Sequence, residues 1–229
     1  MAQNAMTKFN GFLLILPLMA CFLFSFQSSK KRARVVFFGD SITEAGVLPG
    51  GYIAQLRDSI TALGKEKRYE FMGAGIGGNK VYDLYLRLEE DVLALKPDVV
   101  VLYVGVNDVW HKQLFGTGTD ADKFQKFYAA LIQKFQKKGI RVIACTPACI
   151  GERQAGGNQM DGELDKFCQI IRKVARDKDT AICDFRQAFI DFTAKNNPEN
   201  RESGILTTDG VHLNLRGNKL VAELLLKAL

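Results

Sequence analysis

A chain of 229 residues, 47% of them hydrophobic and 24% charged, has the composition of one globular domain and excludes a disordered or fibrous protein. Five cysteines are too few and scattered for a disulfide-stapled mini-scaffold, and only two histidines, His111 and His212, exist, which excludes a zinc centre built on three imidazoles. The net charge of +6 invites a nucleic-acid partner, but five of the 31 basic residues (Lys8, Lys30, Lys31, Arg32 and Arg34) lie ahead of any acid, leaving 26 basic against 25 acidic residues over 35–229 and no concentrated basic surface for phosphates.

In chain order, the first feature is Gly11 to Phe26, a sixteen-residue apolar run preceded by Lys8 and followed by Gln27, Ser28 and Ser29. It falls short of a bilayer span of about 20 residues and matches a secretory signal. Residues 1–29 are therefore expected to be a signal peptide or N-terminal membrane anchor, 30–34 a basic linker, and 35–229 the functional domain. Cleavage would leave the domain periplasmic or extracellular. Leu18-Met19-Ala20-Cys21 is also a loose lipobox, and basic residues after an uncleaved apolar run favour a membrane-anchored form, so both stay open; membrane contact is assigned to this segment alone.

After Arg34, short β-branched runs alternate with longer amphipathic stretches, the pattern of a parallel sheet covered by helices on both faces. Five strands are expected, at Val35 to Phe38, Tyr69 to Met72, Asp98 to Val104, Arg141 to Cys145 and Ala181 to Asp184. Helices are expected over 52–64, 83–95, 121–138, 161–177, 186–195 and 215–228. In the third strand the run from Val99 to Val104 is apolar throughout, as a strand buried on both faces should be. Two irregular insertions, Val109 to Asp120 and Ala148 to Met160, follow carboxyl ends of strands, where open α/β sheets place ligand sites.

The first strand runs into Gly39-Asp40-Ser41, which puts a serine hydroxyl at the top of the sheet; such a serine also serves simply as a helix cap. Ahead of the last helix, Asp209-Gly210-Val211-His212 offers an imidazole to take a serine proton and a carboxylate to fix the tautomer. Alone, His212 reads as a surface histidine beside a helix cap. Donors for an oxyanion are available after the second strand, in Gly73-Ala74-Gly75-Ile76-Gly77-Gly78-Asn79, and after the third, in Gly105-Val106-Asn107-Asp108. Gly73-x-Gly75-x-x-Gly78 also has dinucleotide-fingerprint spacing, but it follows the second strand and lacks an acid at the end of the next one.

Taken together, these segments resemble the SGNH, or GDSL, hydrolases. Gly39-Asp40-Ser41 is similar to the family's first block, Gly75 within Gly-Ile-Gly-Gly to the second, Gly105-x-Asn107-Asp108 to the third and Asp209-x-x-His212 to the fifth. The resemblance runs from Val35 nearly to the C-terminus. It departs at Ile42, where the family often has leucine, at Gly73, where many relatives have asparagine, and at Gly77, where many have serine. It implies a three-layer α/β/α sandwich on a five-stranded parallel sheet, flavodoxin-like, with a serine esterase site. Ser41 would attack, His212 act as base and Asp209 orient it; the Ser41 and Gly75 backbone N–H groups and the Asn107 side chain would form the oxyanion hole. No metal or organic cofactor is implied.

Trp110 and His111 follow the third block and are candidates for the substrate pocket, with a surface role open for His111. Cys145 and Cys183 read as core residues, and Cys149 and Cys168 as a pair that oxidation could join. The expected function is hydrolysis of a carboxylic ester through an acyl-enzyme, removing short acyl or acetyl groups from a carbohydrate or similar ester. The alternatives are a lipolytic lysophospholipase or thioesterase, and a non-catalytic glycan-binding module, against which the intact serine, asparagine, aspartate and histidine set argues. The partner is thus a small-molecule, glycan or lipid ester, and no nucleic acid.

Overall fold

The computed structural model describes residues 1–2, 31–154 and 156–229, so the expected leader, and Cys21 with it, lies outside the described residues. Among the described residues the strands are β1 (Ala33–Gly39), β2 (Tyr69–Gly75), β3 (Val99–Tyr103), β4 (Arg141–Cys145) and β5 (Ala181–Cys183). The helices are α1 (Ser41–Gly46), α2 (Tyr52–Ala62), α3 (Val81–Asp91), α4 (Val106–Phe115), α5 (Ala121–Lys137), α6 (Asp161–Asp177), α7 (Phe185–Asn196) and α8 (Leu215–Ala228). All strand pairs are parallel and the order is β2-β1-β3-β4-β5. No helix among the described residues is long and apolar enough to cross a membrane.

The layers follow from side-chain alternation along β1. Val35, Val36, Phe37 and Phe38 are all fully buried, and successive side chains leave a strand on opposite faces. Phe37 meets Tyr52 of α2 edge-on, with ring centroids 5.9 Å apart, while Phe38 meets Phe135 of α5 at 6.3 Å. The sheet therefore carries α2, packed on α8, over one face, and α5, packed between α3 and α6, over the other. Tyr103 of β3 joins the α2 face, touching Tyr52 and, at 4.9 Å, Phe185 of α7. The aromatic and aliphatic side chains between these layers form one continuous core.

Strand register sets the position of the site. Gly39 pairs with both Gly75 and Tyr103, Tyr103 with Cys145, and Cys145 with Cys183. The five strands thus end in one row, and each loop that follows emerges on the same edge of the sheet.

Several expectations need correction. The stretch Val109 to Asp120 is not an irregular insertion: α4 runs from Val106 to Phe115. Gly116 stops this helix in the left-handed conformation at φ 68°, the ordinary role of a glycine at a helix C-terminus, rather than marking a long loop. A short helix, α1, begins at Ser41, and β2 continues to Gly75. The third helix starts two residues early and ends at Asp91, with a separate 3₁₀ turn at Leu93–Leu95. Cys149 and Cys168 are not joined; with Cys145 and Cys183 they are buried free thiols. Their sulfurs face different carbonyls, Gly210 for Cys149 and Pro147 for Cys168.

Candidate active site

Ser41 opens α1 directly beyond the end of β1. Asp40 caps that helix, its Oδ1 accepting from the Ile42 N–H at 3.0 Å, and is almost wholly buried. The turn is held from below, where Tyr52 donates its hydroxyl to Thr43 Oγ1 at 3.0 Å. Burial pushes the Asp40 carboxyl up to about 7, with repulsion from Asp108 adding to the rise and the Ile42 N–H and His212 opposing it.

Asp209 and His212 occupy a tight hairpin between α7 and α8, closed by a bridge between Thr207 and Leu213. Gly210 takes φ 95° at its tip, a conformation that suits glycine. The Asp209 carboxylate does three things at once: Oδ1 accepts the Val211 and His212 N–H groups at 2.9 and 2.8 Å, and Oδ2 accepts the His212 Nδ1 at 2.7 Å. With Nδ1 so engaged, Nε2 faces Ser41 Oγ at 3.1 Å. Burial tends to raise the Asp209 pKa, but the bonds from the His212 ring and from the two backbone groups outweigh it, so the carboxyl lies below its ordinary value. The structure thus brings Ser41, His212 and Asp209, far apart in sequence, into one hydrogen-bonded chain.

The end of β2 and the turn after it pack beside Ser41, and the start of α4 is joined to that turn. Gly75 packs so tightly on α1 that a Cβ there would collide with the backbone of Glu44, and a Cβ on Gly77 would stand 4.0 Å from Ser41 Cβ. Asn107, in the first turn of α4 and only 2% exposed, donates one amide hydrogen from Nδ2 to the Asn79 carbonyl at 3.1 Å. Its neighbour Asp108 is fully buried and accepts the Val81 N–H, tying α4 to α3. Burial pushes the Asp108 carboxyl up to about 6, with that N–H among the groups opposing the rise. Ser41, His212 and Asp209 thus supply a hydroxyl, a base and a carboxylate in one chain, and Asn107 offers an amide from the helix that follows β3 on the same edge of the sheet, groups of the kinds used in attack on an acyl carbon.

Trp110 lies beside this point, its ring 6.0 Å from that of His212 and 5.6 Å from that of His111. His111 stands one position further out, against Phe115 and across from Gly78. Burial, followed by the charge of Lys80, lowers the His111 pKa, which favours the neutral ring. A cleft of about 310 Å³ opens from Asp209, lined by Trp110, Arg153, Gln159, Met160 and Val211 among others. Among the described residues, no group of three or more His, Cys, Asp or Glu side chains converges as metal ligands would.

Two supporting residues carry no sequence signal. Glu152, 1% exposed, lies in the insertion after β4, and its carboxylate accepts the backbone N–H groups of Ile205, Leu206 and Thr207, which lead into the Asp209 hairpin. Arg87, on α3, reaches the carboxyl ends of β1 and β2. Both sit in stretches whose local pattern shows only a loop or a half-buried helix face.

Comparison with known proteins gives one family match and several relatives. The family described as GDSL-like Lipase/Acylhydrolase matches residues 37–220. A crystal structure of an acetyl xylan esterase, AlAXEase, is similar at 56% identity and a TM-score of 0.84, covering 86% of this chain and 99% of that one. An acetylxylan esterase of Geobacillus stearothermophilus is 27% identical over 212 residues, covering 85% of this chain and 92% of the relative. A Bacillus subtilis (strain 168) protein named uncharacterized lipoprotein YqeF is 25% identical over 209 residues, covering 82% and 86%.

Proposed function

The chain belongs to the GDSL-like lipase/acylhydrolase family, and from that membership we propose that this carboxylic ester hydrolase uses Ser41 to remove acetyl groups from a carbohydrate. The reading is carried by one observation, the continuous chain from Ser41 Oγ through His212 to Asp209 at 3.1 and 2.7 Å. Ser41 Oγ attacks the ester carbonyl while His212 Nε2 takes its proton, and Asp209 steadies the imidazolium that results. The charge that builds on the carbonyl oxygen is met by the Ser41 and Gly75 backbone N–H groups and by the amide hydrogen of Asn107 not used on Asn79. The tetrahedral intermediate expels the sugar hydroxyl, which leaves with the proton held on His212. His212 then takes a proton from water as it attacks the acetyl-serine, and acetate departs as Ser41 regains its proton.

A carbohydrate leaving group is supported by the relatives named acetylxylan esterase and by the cleft beside Asp209. There the indole of Trp110 offers a flat apolar face, and Arg153 and Gln159 offer planar donors for hydroxyls, the combination that holds a sugar ring. His111 does not line this cleft; it packs beside Trp110, against Phe115 and across from Gly78. Export, with or without a retained anchor, is supported by the apolar run from Gly11 to Phe26 and by the lipoprotein name of one relative.

The test is a series of p-nitrophenyl esters with acetylated xylo-oligosaccharide alongside. The acetyl ester should turn over fastest, activity should fall steeply by the octanoyl ester, and the oligosaccharide should release acetate. An octanoyl optimum with no acetate released would overturn the acetyl reading in favour of a lipolytic one.

A further inference from the structure

An oxyanion hole assembled from three separate segments works only if those segments keep their relative positions to a fraction of an ångström. One side chain touches the supports of all three. Arg87, whose side chain is 14% exposed, donates from Nη2 to the Gly39 carbonyl at 2.8 Å and to the Ala74 carbonyl at 3.0 Å, and from Nε to Asn79 Oδ1 at 2.7 Å. Gly39 lies two residues before Ser41, and Ala74 directly precedes Gly75. The carbonyl of Asn79 is the one that holds the Asn107 amide, at 3.1 Å. The remaining arm of the guanidinium meets Asp91 at 2.8 Å, and its plane lies over the Phe38 ring, 4.6 Å from the centroid.

We propose that Arg87 is a positioning residue that clamps the ends of β1 and β2 to the Asn79 turn and thereby sets the geometry of the oxyanion hole. The inference rests on the reading of Ser41, Gly75 and Asn107 as oxyanion donors. Only a guanidinium suits the position, because its rigid planar fork reaches several acceptors at fixed angles, whereas a lysine ammonium is a point donor on a flexible stem. A role confined to stability would need no such fork: an apolar side chain could cover Phe38, and Asp91 alone could satisfy a charge. Arg87 touches no substrate, so its effect should appear in turnover and through the donors it aligns.

The experiment is a double-mutant cycle on p-nitrophenyl acetate with Arg87→Met, which keeps an unbranched apolar side chain at that position, Asn107→Ala, and the pair combined. Arg87→Met should lower kcat by about 10- to 100-fold with KM within about threefold, and Asn107→Ala should lower kcat by about 10²- to 10³-fold. In the double variant the loss should fall short of the product of the two single losses by about fivefold or more, because one residue acts through the other. Arg87→Lys, which keeps the charge beside Asp91, carries the same comparison if Arg87→Met does not fold. It should retain a loss of about fivefold or more in kcat with its thermal midpoint little changed.

Losses that simply multiply, or a folded Arg87 variant with wild-type kcat, would overturn the clamp while leaving the esterase reading intact. An Asn107→Ala variant with undiminished kcat would instead remove the oxyanion reading itself, and the clamp with it.

Discussion

Asp40 stands beside Ser41 in sequence but serves the helix, not the acyl group. Its folded pKa, about 7, is raised by burial above the ordinary carboxylate value. The folded state therefore holds this proton more tightly than the unfolded chain does. The stability it contributes is complete below about pH 4 and is lost as pH rises through about 7. Asp40→Asn keeps an oxygen for the Ile42 N–H and cannot ionise. Urea unfolding at pH 5 and pH 8 should show a smaller loss of stability on the alkaline side in the variant than in the wild type; identical pH slopes would contradict a buried, titrating Asp40. Asp209 behaves in the opposite sense. Its pKa lies below the ordinary value, so it stays ionised in the neutral range and keeps His212 Nδ1 protonated and Nε2 free for Ser41.

At the scale of elements, the hairpin that carries Asp209 and His212 is supported by a loop as well as by its own contacts. Glu152 accepts three N–H groups from Ile205, Leu206 and Thr207, Gly151 donates to the Gly210 carbonyl at 2.8 Å, and Arg186 holds the base of α6 through Asp161 at 2.8 Å. Glu152→Ala would strand those donors in a buried setting, at a cost of about 3 kcal/mol or more. Chemical denaturation should register that loss, and amide exchange at 205–207 should speed up; unchanged stability would show that the Glu152 carboxylate is dispensable.

The site is legible in the sequence where its partners are near each other or mark a strand end, as with Gly39-Asp40-Ser41 and Asp209-x-x-His212. Asn107 is legible as a residue, but its helix is not, because Gly116 and Gly118 read as loop formers until the backbone of Gly116 proves to be a helix stop. Arg87 and Glu152 are illegible for a different reason. Glu152's acceptors bond 53 to 55 residues downstream and Arg87 reaches 48 residues upstream, whereas helix periodicity reports only that a face is half buried.

At the scale of the whole molecule, register does most to create the site. Because Gly39, Gly75, Tyr103, Cys145 and Cys183 end level, four loops and a C-terminal hairpin from distant parts of the chain meet on one edge of the sheet. The alternation of apolar runs and amphipathic stretches predicts that architecture, since each β–α unit must bury one face against the sheet. It leaves the level of the strand ends undetermined, because register depends on pairing between strands that local pattern does not record. Over 35–229 the charge is nearly balanced, with 26 basic and 25 acidic residues. The proposed chemistry converges on a single atom, Ser41 Oγ, so the most direct measurement is the kcat of a purified, folded Ser41→Ala protein on p-nitrophenyl acetate. Turnover should fall by about 10⁴-fold or more with the thermal unfolding profile retained; a kcat within tenfold of the wild type would contradict a nucleophilic Ser41.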